Sequence, residues 1–478
     1  MVSAKHIYSH SSTEDTIAAI ATPPGPGGIG IIRISGPLSR DILVRLFKPR
    51  QKKDTAKPAS HRLRYGWIVD PQDDSPVDEV LAVYMQAPNT YTREDVVEIQ
   101  CHGSYLVLQE ILALILTKGA RLAEAGEFTK RAFLNGRLDL TQAEAVLELI
   151  EARTDEGRSL AVGQLQGRLH DQVTDIQNRL LSMRAIIEVA IDFPEDETDI
   201  LDPAALKKQL HQDVELPLKE LIAKAGQGRI FREGISGVIL GRPNVGKSSL
   251  LNTLLQEDRA LVTAVPGTTR DTIEEYINLR GMPVRIVDTA GIRETSETVE
   301  ELGIQRARAK LVEADLVFFM LDASEPPAGE DRRLYESLQE NRKKQKVLLV
   351  LNKIDINPQA DPDAYRSALD ADDELVSISA KHHTGITELK EMVFAMMTGD
   401  SSGWDPGADC VPNVRQNDCL VKTLEACQRI IAGLDTELSP DLLAIDLQAA
   451  LNHLGDIVGE TTTEDVLDLI FEQFCIGK

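Results

Sequence analysis

Residues 241–248 read Gly-Arg-Pro-Asn-Val-Gly-Lys-Ser and directly follow the apolar run Ile235-Ser236-Gly237-Val238-Ile239-Leu240. Few strings of this length constrain a fold so tightly. Gly241 and Gly246 let the backbone curl so that successive N–H groups point inward at phosphate oxygens. Lys247 adds a point charge, and Ser248 offers a hydroxyl to Mg²⁺. Ser249-Leu250-Leu251-Asn252 then opens a helix whose N-terminal dipole also favours an anion. Strand, phosphate loop and helix in that order belong to an open, mainly parallel sheet. The competing reading, a Gly-rich turn with no ligand, weakens with each motif that follows.

From about residue 236 to 398 the sequence alternates strands and helices. Apolar runs at 284–287, 316–321 and 347–351 each end in a polar loop, which is the pattern of ligand loops at strand carboxyl ends. Four further loops stand in the order expected of a GTPase. Thr269, in Gly267-Thr268-Thr269-Arg270, can give Mg²⁺ a second hydroxyl. Asp288, in Asp288-Thr289-Ala290-Gly291, can hold the magnesium shell, and the Gly291 N–H can meet a γ-phosphate. Asp355, in Asn352-Lys353-Ile354-Asp355, can accept from the N1–H and exocyclic amine of guanine. Adenine would leave that carboxylate unsatisfied at a cost of ~1–3 kcal/mol. Ser379-Ala380-Lys381 can place a backbone N–H on the guanine carbonyl. With Asn244, Val245, Gly246, Lys247, Ser248 and Ser249 these residues form the expected GTP contacts, with Mg²⁺ on Ser248 and Thr269.

Ile292 stands where small signalling GTPases carry the glutamine that orients the attacking water. Another group must take that role. Glu300 can act as a base directly or through a second water. Equally, Glu294, Glu297, Glu300 and Glu301 read as a solvated acidic face, and spacing alone favours that. Asn244 also has two readings. Its amide oxygen can ligate a monovalent cation that neutralises charge as an arginine finger does elsewhere, or it is a turn residue.

Helical periodicity flanks this block on both sides. Thr141 with Glu144 reads as a capping box. Leu165, Leu169, Val173, Ile176, Leu180, Met183, Ile187 and Ala190 then predict one long helix, stopped by Phe193-Pro194. The pattern returns at about Val414. Ser439-Pro440 gives an N-cap and a first-turn proline, and Leu443, Leu447, Ala450, Leu451, Leu454 and Val458 mark one face. Such stripes must bury against other helices, so one bundle is predicted with the nucleotide domain inserted in it. The first ~135 residues read as mixed α/β, with strands at 30–35 and 96–99, a helix at 105–118 and a loop at 23–28. The expected fold is multidomain α/β plus all-α: an N-terminal α+β domain (1–137), a discontinuous helical bundle (138–233 and 401–478) and an inserted Ras-like P-loop GTPase domain (234–400).

The net charge of −24 over 478 residues argues against binding a polyanion over a broad surface, though not against a local basic patch. The five cysteines, Cys101, Cys410, Cys419, Cys427 and Cys475, contain no pair at two-residue spacing, and reduced thiols are the simplest reading. No signal-peptide pattern opens the chain, and the longest strongly apolar run, 111–116, is far short of the ~20 residues that span a bilayer. A cytoplasmic protein without membrane contact is expected.

Outside the GTPase loops, three strings extend the pattern. They are Ala21-Thr22-Pro23-Pro24-Gly25 with the Gly27 to Gly36 run, Gly126-Glu127-Phe128-Thr129 with Arg131 to Leu140, and the terminal Phe474-Cys475-Ile476-Gly477-Lys478. On these the chain resembles the MnmE (TrmE) family of tRNA-modification GTPases nearly end to end. The resemblance implies an N-terminal folate-binding domain that forms a constitutive homodimer. It implies action with the FAD-dependent partner MnmG, adding an aminomethyl-type group to carbon 5 of the wobble uridine of tRNA. A tetrahydrofolate such as 5-formyl-tetrahydrofolate is the implied one-carbon ligand, and K⁺ the implied stimulator of hydrolysis. Carried over by motif, Asn244 resembles a K⁺ ligand, joined by Thr263, Val265 and Thr268. Glu300 resembles the residue that organises the hydrolytic water, and Arg33, Glu98, Arg137 and Lys478 the folate contacts. Arg137 replaces a lysine of some relatives, which keeps the charge and changes the geometry. Cys475 is a candidate near the reaction centre without an assigned role. A GTP-gated switch for ribosome assembly is the alternative, but such proteins usually append a basic RNA-binding module.

Overall fold

The computed structural model describes residues 15–23, 25–50, 58–193, 201–258, 275–287, 314–399 and 410–478. The N-terminal part comprises β1 (Thr16–Ile20), β2 (Gly27–Ser35), α1 (Ser39–Leu46), β3 (Phe47–Pro49), β4 (Arg62–Val69), β5 (Pro76–Met85), β6 (Val96–Gly103), α2 (Tyr105–Thr117), β7 (Ala120–Leu122) and α3 (Glu127–Leu134). Its seven strands form one sheet in the order β3-β4-β5-β6-β2-β1-β7. Ile32, Ile34, Val80, Ala82, Val97 and Ile99 alternate onto one face, where Ile42 and Leu46 of α1 and Ile111 and Ile115 of α2 cover them. Gly27 and Gly28, expected in a loop, open β2 instead. The Gly27–Gly103 pairing recruits them, because a side chain at Gly103 would sit 2.4 Å from the Gly27 carbonyl.

The helical part begins with α4 (Leu140–Glu151), α5 (Asp155–Leu165), α6 (Arg168–Asp192), α7 (Pro203–Leu210), a single π-helical turn at 211–215 and α8 (Leu216–Glu233). The capping box at the start of α4 uses Asp139 and Gln142 rather than Thr141 and Glu144. Asp139 accepts from the Thr141 and Gln142 N–H groups, and Glu144, the other expected member, is taken up by Arg415 and Gln416. The single long helix predicted from Leu165 is also divided. Gly167 takes a left-handed φ of 89°, ends the turn after α5 and caps α6, so Leu165 belongs to the preceding helix. The stripe from Leu169 to Ala190 holds as predicted and lies in the bundle core.

The nucleotide domain runs β8 (Ile235–Leu240), α9 (Lys247–Asp258), β9 (Glu275–Leu279), β10 (Met282–Val287), β11 (Leu316–Asp322), α10 (Gly329–Asn341), β12 (Lys346–Asn352), α11 (Pro362–Leu369), β13 (Glu374–Ser377) and α12 (Ile386–Thr398). Strand order is β13-β12-β11-β8-β10-β9, parallel except for the β9–β10 hairpin. Every residue of β11 is buried, as expected of a strand covered on both faces. The bundle is completed by α13 (Val414–Asp435), α14 (Pro440–Val458) and α15 (Glu464–Phe471). Pro440 opens α14 as predicted, but the Ser439 side chain makes no capping hydrogen bond.

The chain enters the nucleotide domain after Arg232 and has returned to the bundle by Val411, and these two crossings are stitched together. Arg232 donates to the Val411 carbonyl and to Gln164 Oε1 (3.2 Å). Gln164 donates to Gln416 (3.0 Å), and Gln416 to Glu144 (2.6 Å). Arg415 closes on both oxygens of Glu144 at 2.7 and 2.8 Å. Glu148 Oε2 lies 3.1 Å from Arg232 Nε without hydrogen-bond alignment.

Candidate functional site

The phosphate loop leaves β8 at the centre of its sheet. Gly241 has φ +150° and Gly246 +101°. A Cβ at Gly241 would lie 2.6 Å from the Met320 carbonyl, and one at Gly246 2.2 Å from Asn352 Nδ2. Glycine is required at both places by neighbours as well as by backbone angle. Asn244 is exposed and left-handed, with φ 65°. Lys247 Nζ donates back to the carbonyls of Gly241 (3.0 Å) and Arg242 (2.8 Å), which holds its ammonium across the loop. Ser248 and Ser249 open α9 exposed, and Val245 is buried beneath.

Asn352 joins the phosphate side to the base side. Its Nδ2 donates to the Val245 carbonyl (2.8 Å), and its Oδ1 accepts the Ala380 N–H (3.0 Å). Thr253 on α9 holds the Ala380 carbonyl (2.8 Å). Asp355 accepts from the Ser379 hydroxyl (2.6 Å), and this bond holds its carboxyl below the usual aspartate range. Asp355 therefore stays ionised, an acceptor facing a base that offers two donors. Of the three N–H groups expected near the guanine carbonyl, that of Ser379 donates to Thr384 and that of Ala380 to Asn352. Only the Lys381 N–H lacks a protein acceptor among the described residues. Lys353, left-handed at φ 68°, sends Nζ to Asp322 (2.5 Å). Burial alone would raise Asp322, but Lys353 and Ser324 outweigh it and lower the carboxyl.

Thr263, Val265, Thr268, Thr269, Asp288, Thr289, Ala290, Gly291, Ile292 and Glu300 lie outside the described residues. β10 ends at Val287 in parallel register with Val238 of β8, so it delivers the chain to the same sheet end as the phosphate loop. Three supporting residues escaped the sequence reading. Arg242 Nε binds Asp331 Oδ1 (2.7 Å) and ties the loop to α10. Thr253 and Asp322 are the others, and only Asp322, at the end of an apolar run, carried a signal.

A second cluster forms in the N-terminal part. Arg33 and Glu98 are direct cross-strand partners on β2 and β6, and Arg33 Nε meets Glu98 Oε1 at 2.9 Å. The Arg33 guanidinium lies 5.7 Å from the Tyr91 ring and 5.6 Å from that of Phe128. Arg137 sits closer to Tyr91, at 4.6 Å, and donates to its carbonyl (3.3 Å). The C-terminal tail threads into this cluster. Ile476 bridges Ala125, the Phe128 N–H donates to the Lys478 carbonyl (3.1 Å), and Arg33 Nη1 reaches the Gly477 carbonyl (3.4 Å). Arg33, Glu98, Arg137 and the end of the tail, far apart in sequence, are thus brought together. Tyr91 carried no sequence signal, and Phe128 stood only within a family string, with no role of its own. Cys475 is exposed beside them, whereas the other four cysteines are buried, and burial pushes Cys101 up to about 11 and Cys427 to about 12.

A parallel sheet with a phosphate loop, and a carboxylate held ready for guanine, define a P-loop GTPase, here set into a helical bundle behind an N-terminal sheet domain. The family model described as "MnmE helical domain" matches residues 140–475, and that described as "GTP-binding protein TrmE N-terminus" matches residues 16–137. The chain belongs to the MnmE family of GTPases. A protein of Desulfotalea psychrophila named tRNA modification GTPase MnmE is 51% identical over 97% of this chain and 98% of its own. Namesakes from Thermoanaerobacter sp. and Lactiplantibacillus plantarum are 44% and 45% identical, each over 97% of this chain and 99% and 98% of theirs. Among the described residues no helix is long and apolar enough to cross a membrane, and no three His, Cys, Asp or Glu side chains gather as a metal site.

Proposed function

We propose that this GTPase acts in the C5 aminomethyl-type modification of the tRNA wobble uridine, as a homodimer working with the FAD-dependent partner MnmG. The observation that carries the GTPase half is Asn352, whose one amide fastens the phosphate loop to the guanine loop. Nucleotide identity and phosphate grip then form a single unit. The tRNA half rests on the family and on the tRNA-modification role its relatives are named for.

Ser248 and Thr269 are the proposed Mg²⁺ ligands, and Mg²⁺ would neutralise charge on the β- and γ-phosphates. Asn244, with Thr263, Val265 and Thr268, is proposed to hold K⁺, and Glu300 to organise the hydrolytic water. The left-handed, exposed Asn244 supports the first idea, because no protein group competes for its amide among the described residues. For a tetrahydrofolate ligand, Arg33 and Arg137 suit glutamyl carboxylates and Glu98 suits a pterin amine. Tyr91 and Phe128 would give such a ring an aromatic wall. A homodimer is supported by the outer face of the N-terminal sheet, where Leu63, Tyr65, Trp67 and Leu81 stand exposed on adjacent strands.

The test is reconstitution with the FAD-dependent partner, GTP, K⁺, a tetrahydrofolate and unmodified tRNA, followed by mass analysis of the wobble nucleoside. A mass gain dependent on GTP is expected. An unchanged uridine, with the nucleotide still hydrolysed, would remove the tRNA reading and leave the GTPase.

A further inference from the structure

The chain carries 76 acidic and 52 basic residues, so a polyanion must find a local exception to its overall charge. Many of the cations in the N-terminal part are spent on carboxylates. Close to the N-terminal sheet's edge, Lys48 pairs with Asp74 (2.5 Å) and Arg50 with Glu79 (3.2 Å). Arg40, Arg62 and Arg64 behave differently. Among the described residues no carboxylate lies within ion-pair distance of any of them.

The three share one face. Arg62 stands directly opposite Tyr84 across the β4–β5 ladder, and Arg64 opposite Ala82, on the face where Ala82 and Tyr84 point. Arg40 reaches the same ring from the first turn of α1, with its guanidinium 5.6 Å from the Tyr84 centroid. Arg64 lies 5.6 Å over the ring of Phe47. β3 pairs with Gly66 to Ile68 of β4, and among the described residues no strand pairs with Arg62 or Arg64 on that side. Asp95 is engaged at the hydroxyl end of Tyr84, where it accepts from the phenol O–H (2.9 Å) and from the Ala87 N–H (3.0 Å).

We propose that Arg40, Arg62 and Arg64 form a docking surface for the phosphate backbone of tRNA; this rests on the tRNA reading above. Two features favour RNA phosphate over an acidic protein. Aromatic rings lie against two of the guanidinium groups, at 5.6 Å each, and the planar guanidinium fork matches a phosphate bidentately. A group of uncompensated arginines on a strongly acidic protein also resolves a physical problem. It gives a polyanion a place to land on a chain whose net charge otherwise repels it, so the patch sets orientation as well as affinity.

The experiment titrates full-length protein, with the flavin-dependent partner present, into fluorescently labelled unmodified tRNA between about 50 and 200 mM salt. The substitution set is Arg40→Gln, Arg62→Gln and Arg64→Gln together. Each lost phosphate contact lowers the log–log salt slope by about 0.9, so the triple variant should flatten it by 2 to 3 and weaken binding roughly tenfold or more at low salt. Arg→Lys at the three positions should restore most of the slope. Removing three paired cations elsewhere, Lys207→Gln, Arg229→Gln and Arg332→Gln, should not change it. GTP turnover and 5-formyl-tetrahydrofolate binding report that the variants are folded. Unchanged affinity and slope in the Arg→Gln triple overturn the proposal, as does an equal loss in the distant triple. Weaker binding of a polyglutamyl folate with tRNA binding intact would assign the patch to a small carboxylate ligand and overturn it too. Wild-type protein that modifies tRNA while the triple binds normally refutes the patch alone; failure of wild type to modify tRNA refutes the functional reading.

Discussion

Glu148 gives the fold a pH dependence with a defined sign. It lies on α4 against Arg232, at the joint where the nucleotide domain leaves the bundle. Burial pushes its carboxyl up to about 7; Arg232 and Asn413 pull it down, and the charges of Glu144 and Glu151 add to the rise. From an ordinary value of 4.5, at ~1.4 kcal/mol per pH unit, the difference amounts to about 3 kcal/mol. The native state holds this proton more tightly than the unfolded chain does. Its contribution is therefore fully present below about pH 4.5 and is lost as pH rises through about 7. Glu148→Gln keeps the shape and carries no proton to lose. Its stability relative to wild type should improve by about 3 kcal/mol between pH 5 and pH 8. Amide exchange over residues 140–151 and 216–233 reads the joint directly, and thermal unfolding should show the same divergence. If the difference between variant and wild type is the same at both pH values, burial does not dominate here. If wild type gains on the variant as pH rises, the Arg232 pairing outweighs burial and the reasoning fails.

Three further outcomes are expected. Asn352→Ala strands two buried backbone groups, at Val245 and Ala380, and at ~1–3 kcal/mol each should weaken GTP by tenfold or more in a fluorescent-nucleotide titration; unchanged affinity would mean that the two loops hold position without it. If Asn244 ligates K⁺, GTP turnover should be faster in K⁺ than in Na⁺, and Asn244→Ala should abolish the difference; equal rates in both salts for wild type count against the cation. Removing Cys475 to Lys478 takes away carbonyls bound by Phe128 and Arg33 and should cost folate binding and tRNA modification while GTP turnover stays near normal, which a reconstituted assay checks.

What the sequence disclosed and what it hid divide along a physical line. The phosphate loop was legible because its chemistry is local: Gly241 and Gly246 answer to backbone angles and to neighbours that any such loop meets. The bundle stripe from Leu169 to Ala190 was legible because helical burial repeats. The break at Gly167 was not, because one left-handed residue scarcely disturbs a periodicity that runs on through it. The capping box was misplaced by two residues because Asp139, Thr141, Gln142 and Glu144 offer two overlapping solutions, and Glu144 is engaged instead by Arg415 and Gln416, residues distant in sequence. Tyr91, Phe128, Arg242 and Asp331 could not be singled out from the sequence, since their partners lie on elements whose meeting is a property of the fold.

The same meeting of elements explains why the two clusters need not touch to be mechanically related. Arg137 stands two residues before Asp139, the cap of α4, and Glu144 and Glu148 lie further along that helix. About 14 Å of helix axis separates Asp139 from Glu148. At one end, Arg137 packs on Tyr91 within reach of Arg33 and the C-terminal tail. At the other, Glu144 and Glu148 face Arg415 and Arg232, the residues beside which the chain enters and leaves the nucleotide domain. α4 is a short helix fixed at both ends by charged contacts. A change in how the nucleotide domain seats on Arg232 must be absorbed either within the polar joint or along α4. The joint is buried and almost fully hydrogen-bonded, and such networks resist partial rearrangement because each released group is left unsatisfied.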